Sequence, residues 1–183
     1  YPHRPYDPPE EFEPGVQDPL ARYLGEVRYV DSLLGQLLQF LEAKRVLDST
    51  VVVVTADHGE SLGEHQEDTH GFFLYESTLS VPLLMRGPSI PRGERAQALI
   101  RIVDVAPTLL EILGIEAPDG LEGVSFLTRE GALRAPEVEA YAETFLPRLH
   151  FGWSELRSLR RGSSKFILAP ASDSSSDRRC PPS

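Results

Sequence analysis

The sequence predicts an α/β layered fold with a mainly parallel sheet, followed by a small antiparallel β layer toward its C-terminal end. Three observations predict it. A long amphipathic segment covers residues 20–46, a continuous β-branched run Val51-Val52-Val53-Val54 follows it, and short apolar stretches separated by turn residues occupy the chain beyond Pro118.

The elements follow in chain order. Residues 1–19 are rich in proline and acid, and proline both removes a backbone donor and biases its predecessor toward extended structure, so this stretch reads as a loop. Tyr23, Val27, Val30, Leu34, Leu37, Leu38 and Leu41 then recur at spacings of three and four, the period of a helix with one apolar face. The valine run has no alternation, as expected for a strand covered on both faces. Residues 55–71 carry three glycines and almost no aliphatic side chains and read as a loop. Val81-Pro82-Leu83-Leu84-Met85 is a second strand candidate, with Pro82 placing its start at Leu83 or at a sheet edge. Asp104, Pro107 and the Leu109, Leu110, Leu113 pattern mark a capped helix that Gly114 stops. Beyond Pro118, residues 124–127, 138–144, 153–159 and 165–169 are short strand candidates, the last two joined by a hairpin turn at 160–164. The expected division is an α/β core over 1–117, an antiparallel subdomain over 118–169 and a disordered tail over 170–183, where Ser, Asp, Arg and Pro lack periodicity.

Composition narrows the function. The chain has 183 residues, 40% of them hydrophobic, and a formal charge of −10, which disfavours nucleic acid and anionic membrane surfaces as partners. No apolar run approaches the roughly 20 residues that a bilayer span requires. The single cysteine, Cys180, forms no internal disulfide and leaves the redox compartment open. The chain starts at Tyr1 and its one methionine is Met85, so an upstream segment is expected and localisation is left open.

The chemistry is expected in the loop after the valine strand. His58, His65 and His70 lie there beside Asp57, Glu60, Glu64, Glu67 and Asp68, without a lysine or arginine, which makes the segment attractive to cations. Ligands of open parallel sheets bind beyond the carboxyl ends of strands, where Asp57 and His58 stand. A carboxylate oxygen with an imidazole nitrogen suits Mn²⁺, Zn²⁺ or a mixed-ligand Ca²⁺ site. The plain alternative is a solvated acidic loop with incidental histidines. Gly59-Glu60-Ser61-Leu62-Gly63 also fits the G-x-S-x-G nucleophile elbow, with Asp104 and His150 in the order a Ser-Asp-His triad needs. Its context argues against it, because Thr55–His58 separate the motif from the strand and no apolar helix follows.

These residues resemble a family, the sulfatases of the alkaline phosphatase superfamily, especially bacterial members and the related phosphonate monoester and phosphodiester hydrolases. The resembling segments are Pro2-His3-Arg4-Pro5-Tyr6-Asp7, Glu26-Val27-Arg28-Tyr29-Val30-Asp31, residues 51–65, His70-Gly71, Leu74-Tyr75-Glu76, Val81-Pro82-Leu83-Leu84, residues 104–110, Gly123-Val124-Ser125 and Tyr141-Ala142-Glu143. The resemblance implies a partial alkaline-phosphatase-like core and hydrolysis of a small sulfate ester, with a phosphonate or phosphate ester as the alternative substrate. It implies a divalent metal ion, Ca²⁺ or Mn²⁺, held in part by Asp57 and His58; many sulfatases have Asn where His58 stands. His3 looks like the histidine that contacts the ester and protonates its leaving oxygen, and His70 takes the place of a substrate-binding lysine. His65 and Glu64 are available as outer groups that orient the loop but are not counted among the site residues. The formylglycine nucleophile of the family is expected upstream of Tyr1, so the chain reads as a carboxyl-terminal portion that is inactive alone. Cys180-Pro181-Pro182-Ser183 resembles the start of the nucleophile motif but lacks its arginine and follows the metal loop. A non-catalytic, partner-binding remnant is the reading from a different class.

Overall fold

A computed structural model describes residues 2–170. The expected tail over 170–183 and Cys180 therefore lie, from residue 171 onward, outside the described residues.

Helix α1 runs Pro19–Ala43, and two local features start it. The Asp18 carboxylate accepts the Ala21 N–H at 2.8 Å, and Pro19 occupies the first turn, where a missing N–H costs nothing. The helix stops three residues before the expected end at 46 because Arg45 turns left-handed, φ 58°, and redirects the chain. The proline-rich loop folds back onto α1. Arg22 fastens it, donating from Nε to the Tyr6 carbonyl at 2.6 Å and pairing with Asp7 and Glu13. Gly25 lets the two segments touch, since a Cβ there would lie 2.7 Å from the Phe12 carbonyl oxygen.

Strand β1, Val52–Thr55, lies one residue beyond the expected start at Val51. It pairs with β2, Leu83–Arg86, in the register Val52↔Arg86 through Thr55↔Leu83, and Pro82 sits just before β2 as expected. The pairing is antiparallel, which corrects the expected mainly parallel sheet: among the described residues both sheets are antiparallel. An unalternating apolar run reports that both faces of a strand can be covered, but strand direction follows from the connection. Here residues 56–82 return the chain to the same sheet edge as a long loop with one short helix, α2 (Glu76–Leu79).

Helix α3, Val105–Leu113, ends at left-handed Gly114, φ 67°, whose N–H reaches the Glu111 carbonyl at 3.0 Å. Asp104 stands at its start as expected, yet its carboxylate does not cap it. It accepts instead from Arg101 and from the Val124 N–H at 2.9 Å, while Thr108 relays from the Asp104 carbonyl to the Phe126 N–H. These bonds strap residues 123–127 across α3, so the short strand expected there forms only the single bridge Leu127↔Leu133.

The antiparallel layer is present as expected. Strands β3 (Glu139–Thr144), β4 (Leu156–Arg161) and β5 (Ser164–Leu168) pair in that order, with a hairpin at Gly162. An unexpected short helix, α4 (Leu146–Phe151), links β3 to β4. The layer reaches the core through Glu76, which pairs with Arg160 at 2.5 Å and Lys165 at 3.0 Å. Burial pushes the Glu76 carboxyl upward, but these two cations outweigh it and hold it below the usual range. Among the described residues no helix is long and apolar enough to cross a membrane.

Candidate active site

The loop between β1 and α2 is ordered by its own acids. Glu67 is 3% exposed and accepts the Phe72 and Phe73 N–H groups at 2.8 and 3.2 Å. Glu64 accepts the Leu62 N–H at 2.6 Å and the Ser61 hydroxyl at 3.2 Å; the Leu62 N–H is the leading reason its carboxyl lies below the usual range. Asp68 pairs with Arg4, and Glu60 accepts from His70. Four of the five acids that made the loop look cation-attracting are thus committed to internal partners. Asp57 projects outward, 91% exposed at its side chain, and Asp68 is 72% exposed beside Arg4.

The same bonds exclude the nucleophile elbow. Ser61 is fully buried and donates its hydroxyl to the Glu64 carbonyl, and the Asp104 carboxylate is occupied by Arg101 and Val124. His65 turns left-handed and stacks on Tyr75 at 3.8 Å between ring centroids.

The remaining expected site residues come together. His58 stacks on His70 with ring centroids 3.9 Å apart, and His3 meets His70 edge-on at 5.4 Å. His3 arrives from 55 positions before His58 because Glu26, on α1, accepts the His3 N–H at 3.0 Å and the Asp7 N–H at 2.7 Å. Glu26 is 1% exposed. No role for it was expected from sequence, although a signal exists: it lies three residues after Tyr23 and four before Val30, a carboxylate on the apolar face of the helix.

Each of the three rings has a defined tautomer. Nδ1 of His58 lies 2.8 Å from the Gly59 carbonyl oxygen and Nδ1 of His3 lies 2.8 Å from the Arg4 carbonyl oxygen. A carbonyl only accepts, so both Nδ1 atoms carry a proton and, in the neutral ring, Nε2 keeps its lone pair. Nδ1 of His70 donates likewise to Glu60 Oε1 at 3.1 Å. Nε2 of His58 lies 3.8 Å from Asp57 Oδ2. Bonding to its own backbone N–H, followed by the neighbouring His58 ring, lowers the Asp57 carboxyl below its ordinary value and keeps it ionised. Asp57 and His58 also line a cavity of about 420 Å³, as do Glu76, Arg160 and Lys165.

An anionic oxygen beside an uncommitted imidazole nitrogen is the donor chemistry of a mixed-ligand divalent site. Among the described residues, however, no group of three or more His, Cys, Asp or Glu side chains is arranged to hold a metal ion. Asp57 and His58 alone offer two donors of that kind.

Comparison with known proteins places this fold among the alkaline-phosphatase-like sulfatases. A family model described as Sulfatase matches residues 1–115, and the chain belongs to the sulfatase family. Mouse arylsulfatase K is 37% identical over 108 residues, which is 59% of this chain and 19% of that protein. The N-acetylglucosamine-6-O-sulfatase of Bacteroides thetaiotaomicron is 39% identical over 110 residues, 60% of this chain and 20% of that protein. Among solved structures, a protein in complex with its substrate D-glucosamine-2-N,6-O-disulfate superposes with a TM-score of 0.71 at 32% identity, over 84% of this chain and 32% of its own. The phosphonate monoester hydrolase of Silicibacter pomeroyi gives 0.69 at 28% identity, over 82% and 32%. The chain spans about a fifth of the length of these curated relatives.

Proposed function

We propose that this chain carries the metal-and-histidine side of a sulfatase centre that hydrolyses sulfate esters. The observation that carries the reading is the meeting of His3, His58 and His70 beside Asp57, drawn from two segments far apart in the chain. Asp57 and His58 hold a divalent cation, Ca²⁺ or Mn²⁺, together with donors outside residues 1–183. A cation held there would supply polarisation of the sulfuryl oxygens and raise the acidity of a formylglycine nucleophile contributed from outside these residues. Protonated at both nitrogens, His3 gives the Nε2 proton to the departing oxygen and keeps the Nδ1 proton that the Arg4 carbonyl holds. His70 presents Nε2 to the substrate, as an acceptor in the neutral ring whose Nδ1–H is held by Glu60. On this reading residues 1–183 alone do not turn over a sulfate ester.

A phosphonate or phosphate ester is the second substrate class. His58 stands where many sulfatases have Asn, and a phosphonate monoester hydrolase shares the fold at 28% identity. Paired assays on the full-length protein with aryl sulfate and aryl phosphonate decide between the classes; a preference for the sulfate of at least tenfold in kcat/KM is expected, and a reversed ratio overturns it. Metal titration of the same protein tests the ligands. Asp57→Ala is expected to abolish stoichiometric uptake of Mn²⁺ or Ca²⁺, whereas undiminished uptake removes Asp57 from the shell.

A further inference from the structure

Glu60 is a buried acid at a place where burial is costly. Its side chain is 4% exposed, Oε1 accepts from His70 Nδ1 at 3.1 Å, and Oε2 is buried without a hydrogen-bond partner. A carboxylate removed from water and left half-satisfied is a poor source of stability, so its retention calls for another explanation. Two tyrosines feel its charge. Tyr6 is buried with its own hydroxyl unpartnered, and its ring packs edge-on against Tyr23 at 5.6 Å. Burial, and after it the Glu60 charge, push the Tyr6 phenol up to about 12.

The consequence falls on His70. An imidazole held at Nδ1 has one remaining nitrogen on the far edge of the ring, and the ring itself is sandwiched by His58 at 3.9 Å and met by His3 at 5.4 Å. Without a fixed acceptor the ring exchanges tautomers, and Nε2 alternates between donor and acceptor. Thr69 Oγ1, 3.3 Å from the same Nδ1, is a hydroxyl that serves either role and so cannot choose between them. A carboxylate only accepts. We propose that Glu60 is the positioning residue of the histidine cluster, holding His70 as the Nδ1–H tautomer with Nε2 turned away from Glu60 for the substrate. The proposal rests on the reading of His70 as an active-site histidine and adds to it a second residue, which acts through the ring and touches no substrate itself.

The test uses the full-length protein labelled with ¹⁵N-histidine and the aryl ester, sulfate or phosphonate, that it turns over. The His70 signals are assigned by their loss in His70→Ala. Glu60→Gln keeps an oxygen acceptor of the same shape, so the Nδ1–H pattern is expected to persist and kcat to stay within about threefold. Glu60→Ala removes the acceptor; His70 is expected to shift toward the Nε2–H tautomer, and kcat to fall about 10- to 100-fold with KM changed less than about threefold. Thermal melting of both variants separates this from a loss of folding. Persistence of the Nδ1–H pattern in Glu60→Ala, or equal loss of kcat in the Gln and Ala variants at equal melting temperature, overturns the assignment. If His70→Ala itself turns over at the wild-type rate, the reading of His70 fails, and that failure is visible without reference to Glu60.

Discussion

Helix α1 and the loop after β1 invert the usual relation between polarity and burial. The helix has the apolar stripe, yet its Val27, Val30 and Leu37 are exposed, as are Leu20, Leu24, Leu33 and Phe40 outside it, Phe40 at 57%. The loop has hardly an aliphatic residue, yet it contains Ser61, Glu67 and the Glu60 carboxylate, all buried. The lesson is that the two regions are held by different forces. The loop is closed by charge-assisted bonds from carboxylates to its own N–H groups, which need no partner layer. The helix contributes little burial of its own here and is tied to the N-terminal loop chiefly through the buried carboxylate of Glu26 and the guanidinium of Arg22.

The largest effect that would break this contrast comes from the loop acids. Glu67→Ala leaves the Phe72 and Phe73 N–H groups without their acceptor, and a loss of about 2–4 kcal/mol is expected in urea unfolding. Glu26→Ala orphans the His3 and Asp7 N–H groups and is expected to cost about 2–3 kcal/mol while freeing His3 from His70, which histidine ring shifts in nuclear magnetic resonance will show. Next comes a pH effect. Burial pushes Asp104 upward, but Arg101 and the Val124 N–H prevail and hold it below its ordinary value. Its contribution is therefore complete above the unfolded carboxyl value and disappears as pH falls through the lower folded one, so Asp104→Asn is expected to flatten the acid limb of the stability curve. At the alkaline end, the neutral Tyr6 phenol is favoured in the folded state. Stability is lost as pH rises from 10.0 to about 12, and Tyr6→Phe is expected to remove that loss, measured by unfolding across this range. The smallest effect is reserved for the helix: Leu37→Ala on its exposed stripe is expected to change stability by no more than about 0.5 kcal/mol. A cost of several kcal/mol there would collapse the contrast.

Members of the candidate site could be picked out one residue at a time, and little of their assembly could. Asp57 and His58 stand directly after a β-branched run, which placed them beyond a strand end before any geometry was known. The fates of Glu60, Glu64, Glu67 and Asp68 were not legible, because a carboxylate that binds a backbone N–H and one that awaits a cation look alike in sequence. Glu26 left a trace as an acid on an apolar helix face, but its partners, His3 and Asp7, lie 23 and 19 residues away.

Sequence alone determined the local events: a helix opened by Asp18 and Pro19, a strand at the valines, a helix stopped by Gly114 and a hairpin at Gly162. Each depends on dihedral preferences and bonds within a few residues, which neighbouring side chains dictate. Only the tertiary structure decided that β1 and β2 run antiparallel, that Asp104 braces residues 123–127 rather than its own helix, and that His3, His58 and His70 share one cluster. Those outcomes join groups distant along the chain, and they follow from which buried donors and acceptors can satisfy one another once the chain has closed.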